Sequence, residues 1–196
     1  MKILYSLILL FIISSFNQQK SFEQKLSEVA ITLIKDKVVY NGTYVSIPYP
    51  NGDVPASQGV CTDVIVRAYR KLGIDLQKEV HEDMKSNFSK YPKIWGLKQT
   101  DTNIDHRRVP NLETFFTRKG QKLEVTKNPS DYKTGEIVTW MINDKMPHIG
   151  ILTHLKSRDG KRFLIVHNVG GGQVLEDCLF NYKIVGHYKF TNKKAN

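Results

Sequence analysis

The chain has 196 residues, a formal net charge of +10 and two cysteines. That length suits one domain with a real core and excludes a large multidomain assembly. Two cysteines exclude a disulfide-dense scaffold, and a lysine excess without a basic-aromatic motif points away from nucleic acid and toward anionic polymers or surfaces.

Met1-Lys2 is a minimal positive start, Ile3 to Ile13 is almost wholly apolar, and Ser14 to Gln18 turns small and polar. This is the pattern of a secretory signal peptide. The apolar run is about 11 residues, short of the roughly 20 a permanent membrane helix needs. We therefore expect a signal peptide at 1–19, one domain over 20–196, and an exported protein, periplasmic or secreted. No stable membrane span is expected after cleavage; an uncleaved N-terminal anchor is the alternative.

Ser21-Phe22-Glu23-Gln24 has the form of a capping box and opens a helix carrying Leu26, Val29, Ala30, Leu33 and Ile34 on one side. Val38 to Ile47 is β-prone, with Asn41-Gly42 as a turn, and Tyr49 to Pro55 reads as a loop. Next comes Gly59-Val60-Cys61-Thr62-Asp63-Val64, the start of a helix whose Val60, Val64, Ile65, Ala68 and Leu72 recur at helical spacing. Gly73 is its stop signal. Cys61 falls at the first turn, where the helix dipole favours the nucleophilic thiolate. Two other readings stand beside that one: a small buried hydrophobe, or one half of a disulfide with Cys178. We expect Cys61 to be free.

Asp75 caps a helix through Val80 and Met84, with Tyr91-Pro92 beyond it. Asp105-His106-Arg107-Arg108 shows neither helical nor strand period; it is a surface loop with internal ion pairs or a substrate-contacting loop, since arginine suits carboxylates. A short helix spans Asn111 to Arg118. The period then changes to two. Strands are expected at Gln121 to Thr126, Ile137 to Ile142, His148 to Thr153, Phe163 to Val169 and Gly186 to Phe190. Helices first and antiparallel strands second make an α+β fold, with the N-terminal helices packed on the sheet.

A cysteine nucleophile needs a base, and the base benefits from a group that orients it. His148 begins one expected strand and His167 ends the next, and adjacent antiparallel strands bring those ends together. The expected roles are Cys61 as nucleophile, His148 as general base and acid, and His167 as the group fixing the His148 tautomer, with Asn168 as its fallback. A cysteine with two histidines is also a possible zinc set, but no Cys-x-x-Cys or His-Glu-x-x-His spacing occurs, so no metal is expected. No phosphate-cradling glycine loop is recognisable, and no cofactor is expected.

Gly135-Glu136-Ile137-Val138-Thr139-Trp140, followed by His148-Ile149-Gly150-Ile151, resembles the strand pair of the NlpC-type papain-like cysteine hydrolases. More closely, Gly59 to Val64, Asn103 to Leu112, His148-Ile149-Gly150, His167-Asn168 and Gly186-His187-Tyr188 resemble the YijF-like family of exported bacterial proteins, a domain of unknown function. The resemblance covers roughly residues 25 to 190. The usual NlpC-type motif is Asp-Cys-Ser, whereas here Val60 precedes Cys61 and Thr62-Asp63 follow. What the resemblance implies is a papain-like fold and an amidase or endopeptidase acting on peptidoglycan or its peptides. Asp63, Asp105, His106, Arg107, Arg108 and Asn168 are the expected substrate-binding residues. A non-catalytic wall-binding module and a lipid-directed acyl-transfer enzyme are the competing readings.

Overall fold

The computed structural model describes residues 19–191; the expected signal peptide lies outside them. Four helices precede most of the sheet. They are α1 (Phe22–Leu33), α2 (Cys61–Lys71), α3 (Leu76–Ser86) and α4 (Val109–Lys119). Their ends follow local chemistry. Ser21 Oγ accepts the Gln24 N–H, and Asp75 accepts the Lys78 N–H, each satisfying a donor that the helix start leaves free. α2 ends at Gly73, whose φ of +79° closes the turn with bonds to Arg70 O and, through Ile74, to Tyr69 O.

Two short strands, β1 (Val39–Tyr40) and β2 (Gln58–Gly59), pair in parallel ahead of α2. The remaining strands are β3 (Gln121–Lys122), β4 (Ile137–Ile142), β5 (Met146–Lys156), β6 (Phe163–His167), β7 (Val174–Glu176) and β8 (Lys183–Lys189). They form one sheet in the order β3-β8-β4-β5-β6-β7, antiparallel throughout. The chain is thus a mixed α/β protein with helices on an antiparallel sheet.

Side chains alternate across that sheet. Ile137, Ile149, Ile151 and Val166 face the helices, meeting Leu26, Ala30, Val64, Ile65, Ala68, Phe115 and Phe116. Val138, Trp140, Leu152 and Ile165 face the other way, under Tyr132, Cys178 and Leu179. With each face covered, β4 is nearly all buried, as is the middle of β5 from His148 to Thr153.

Several boundaries differ from expectation. The β-prone run from Val38 shrinks to Val39–Tyr40, because β2 offers only two residues to pair with. The strand expected to reach Thr126 stops at Lys122; Thr126 instead bonds Asp131 and Tyr132 in a turn. α3 ends at Ser86, and a 3₁₀ turn (Phe88–Lys90) leads to Tyr91. β5 starts two residues before His148, because Asn143 and Asp144 both take positive φ and complete the hairpin turn upstream. β7 was not anticipated.

Candidate active site

Cys61 is the first residue of α2, with Val60 as its N-cap. It is 5% exposed and, like Cys178, carries a free thiol. Asp63 holds the helix start in place. Its Oδ2 accepts the Val60 N–H at 2.7 Å, and both its oxygens receive Arg107, Nε at 2.9 Å and Nη2 at 3.0 Å. Thr62 Oγ1 donates to Arg107 O at 3.1 Å, so the 3₁₀ turn Asp105–Arg107 is clamped to the first turn of α2. Gly59 is needed there: an added Cβ would lie 3.2–3.3 Å from Arg67 Nη1 and from Asp63 Cβ and Oδ2.

The sheet opens beside this sulfur. β6 pairs with β5 at Ile151↔Val166 and stops at His167, so the rung opposite Ile149 is missing. The backbone N–H groups of Ile149, Thr62 and Cys61 itself act to lower the Cys61 thiol. These donors favour a thiolate. Burial outweighs them, and the Asp63 carboxylate adds to its effect, pushing the thiol up to about 12. The expected lowering by the helix dipole is thus overturned: a partial charge at a helix end stabilises less than desolvating the thiolate costs.

His148 follows Pro147 on β5 and stacks on Trp140, ring centroids 5.6 Å apart. Its Nε2 lies 2.9 Å from His167 Nδ1, and the rings meet edge to face. His167 Nε2 lies 3.2 Å from Glu176 Oε2 and 3.5 Å from Cys178 Sγ. Glu176 and Cys178 were absent from the sequence-based set. The signal for them was weak: a three-residue strand after a glycine loop shows no usable period. Burial pushes the His148 imidazole down to about 3, and the neighbouring His167 adds to that. His167 is also shifted down by burial, against the pull of Glu176.

Among the described residues, no hydrogen bond joins Cys61 Sγ to His148. The His148 ring is turned toward His167. Among the described residues, its Nδ1 has no hydrogen-bond partner.

A cleft of about 220 Å³ reaches the sulfur, lined by Tyr40, Cys61, Trp95, Arg107, Arg108 and Pro147 among others. Arg108 lies over the Trp95 ring at 4.2 Å. Its Nη1 and that of Arg107 are buried without a protein partner. A larger depression of about 600 Å³, lined by Asp53, Arg67 and Arg70, does not include Cys61. The remaining expected binding residues stand elsewhere. Asp105 accepts the Asp101 N–H and points into the protein, where burial raises it to about 6. His106 is 2% exposed and held down to about 3 by burial and by Arg107 and Arg70. Neither lines the cleft, because the 3₁₀ turn buries both. Asp63 is taken by Arg107. Asn168 donates to Gly59 O at 3.4 Å, tying the end of β6 to the chain before Cys61.

Residues 27–190 match the model of a domain of unknown function, DUF1287. Over 157 residues the chain is 50% identical to "Uncharacterized protein YijF" of Escherichia coli (strain K12), covering 80% of this chain and 76% of that one. Among solved structures, NlpC1 from Trichomonas vaginalis aligns over 87% of this chain and 45% of its own, at 14% identity and a TM-score of 0.46. The chain belongs to the DUF1287 family.

Proposed function

For a member of that family, we propose an exported cysteine hydrolase on a papain-like fold: an amidase or endopeptidase that cleaves amide bonds of peptidoglycan or its peptides. Residues 20–196 are the proposed hydrolase domain, behind a signal peptide at 1–19, and the proposed location is the periplasm or the exterior. The observations that support this reading are the hydrogen-bonded series His148–His167–Glu176 and a buried Cys61 at the start of α2, whose cleft reaches Pro147, the residue before His148.

That series fixes protons. The ionised Glu176 accepts the His167 Nε2–H, so Nδ1 of His167 is an acceptor. It takes the proton of His148 Nε2. His148 Nδ1 is then left with a lone pair, which is the form a general base needs. Burial keeps thiol and imidazole neutral at rest. In the proposed reaction the sulfur attacks the amide carbonyl as its proton passes to His148. The imidazolium gives that proton to the leaving amine, and water, activated by the same ring, then hydrolyses the thioester. In the proposed reaction, N–H groups at the start of α2 stabilise the negative oxygen.

A wall peptide as substrate is supported by three features: the resemblance of the strand motifs, the net charge of +10, and a cleft where Arg108 presents a buried donor beside Trp95. Digestion of purified peptidoglycan, with products identified by mass, tests it. Peptide or amide fragments are expected from the wild type and none from Cys61→Ala; an unchanged product profile sinks the reading. One observation favours a non-catalytic wall-binding module as second reading: the sulfur makes no hydrogen bond to the imidazole. Retention on insoluble peptidoglycan without any product would select it. A lipid-directed acyl transferase needs a deep apolar groove; the cleft is small, about 220 Å³, and sets Arg107 and Arg108 among its apolar lining.

A further inference from the structure

Behind His148, the β6–β7 hairpin brings three kinds of ligand together: Nε2 of His167, a carboxylate oxygen of Glu176 and Sγ of Cys178, all within 4.8 Å of one another. Sequence spacing gave no hint of this, because the ligands are distributed across a hairpin and its exit, not along one short motif. We propose that these three side chains bind a divalent cation of the zinc type, and that its binding switches off His148 as a base. The second half rests on the role given to His148 above; the first half stands without it.

Two of the three ligand edges fit a metal, and the third lies within 4.8 Å. Zinc sits about 2.0–2.1 Å from nitrogen or oxygen and about 2.3 Å from sulfur, so a tetrahedral site has N···O edges of about 3.4 Å and N···S edges of about 3.6 Å. Here His167 Nε2 stands 3.2 Å from Glu176 Oε2 and 3.5 Å from Cys178 Sγ. The ring and its two neighbours are already at ligand spacing. An imidazole, a thiol and a carboxylate suit a borderline-soft cation, and three protein ligands leave the fourth position to water. Glu176 is exposed while His167 and Cys178 are buried, so the cation has access from solvent and a dry inner side.

The coupling to His148 follows from one shared hydrogen bond. Without metal, His167 carries its proton on Nε2, and the bridging proton belongs to His148 Nε2. A cation on His167 Nε2 displaces that proton to solvent. The bridging proton moves from His148 Nε2 to His167 Nδ1, which then donates it to His148 Nε2. His148 takes a proton on Nδ1 from solvent, which fills the lone pair that the proposed base needs. Each histidine still holds one proton, and Cys178 releases one on forming its metal–sulfur bond, so one proton is released overall. The bridge is unbroken, but its direction is reversed.

Cobalt(II) is the probe for the first half, added to the full-length protein. A thiolate-to-cobalt absorption band in the near ultraviolet, saturating at one ion per chain, is the expected result. Cys178→Ala should lose the band and Cys61→Ala should keep it. Glu176→Gln should weaken binding by at least about tenfold. Cys178→Ser, with its thermal midpoint measured beside the wild type, guards against a folding defect. No band overturns the site; so does a band that survives Cys178→Ala and vanishes in Cys61→Ala, which would place the ion on the nucleophile. For the second half, nitrogen NMR of the imidazoles should show the His148 proton on Nε2 without metal and on Nδ1 with zinc. An unchanged His148 tautomer overturns the switch and leaves the hydrolase reading untouched. Zinc should also slow peptidoglycan turnover in the wild type and not in Cys178→Ser; absence of turnover in both would sink the hydrolase reading and leave the cobalt result standing.

Discussion

The imidazoles of His148 and His167 are joined across adjacent antiparallel strands by a single 2.9 Å bond from Nε2 to Nδ1. That bond leaves only one ring nitrogen of His148 available for proton transfer, and the two histidines are therefore not equivalent. His148→Ala should lower turnover of wall peptides by about 10²- to 10⁴-fold. His167→Ala should fall less, and His167→Asn should recover part of the loss, because an amide oxygen accepts the same His148 N–H. Combining Cys61→Ala with His148→Ala should add little to either alone. Steady-state rates on one peptide decide it. Retained turnover in His148→Ala with none in His167→Ala reverses the roles.

Arg107 is locked to Asp63, and both are nearly inaccessible, with side chains 2% and 3% exposed. Removing one partner of a buried pair leaves a charge without compensation, at a cost of about 3–5 kcal/mol. Arg107→Ala should therefore lower stability in urea by that amount and cripple activity through misfolding. Had Arg107 been a surface substrate contact, the urea midpoint would not move.

Arg108 differs. It packs on Trp95 at the cleft, and among the described residues no ion pair holds it. Arg108→Gln should raise KM for peptides ending in a free carboxylate, with little change for the same peptides as amides, and the urea midpoint should stay close to the wild type. Equal KM changes for acid and amide would remove the carboxylate from its role.

Burial raises the Cys61 thiol to about 12. The sign is plain: at neutral pH the sulfur keeps its proton, and the thiolate fraction grows about tenfold per pH unit well into the alkaline range. Iodoacetamide should modify resting Cys61 more slowly at pH 7 than an exposed thiol, whose pKa lies near 8.5. Its rate should climb without a plateau up to pH 10. A plateau below pH 8, tracked in a Cys178→Ser background, would show a resting thiolate and refute the neutral pair.

Much of this arrangement was legible in the chain. The apolar spacing after Gly59 and the stop at Gly73 located α2, and alternation located β4, β5 and β6. The hairpin relation alone brought His148 beside His167. What escaped has physical causes. Asp105-His106-Arg107-Arg108 reads as a polar surface block, but Asp63, 44 residues away, draws Arg107 inward, and the 3₁₀ turn carries Asp105 and His106 in with it. Glu176 belongs to a strand of three residues, too short for a period. The sign of the Cys61 shift depends on depth of burial, which helix position does not reveal.

Asn168 reaches back 109 residues to the carbonyl of Gly59, and Arg107 reaches back 44 to Asp63. The cleft is thus closed by segments that meet only after long loops have been brought together. Such loops close late, because their entropy is lost before distant contacts return anything. Cys61 and His148 belong to different loops of this kind. A chain in which only the α1–α2 pair or the β5–β6 hairpin has formed has the nucleophile or the base, never both. Amide-cleaving capacity should then emerge in a single step with the last tertiary closure during refolding, well after helix and hairpin signals have risen.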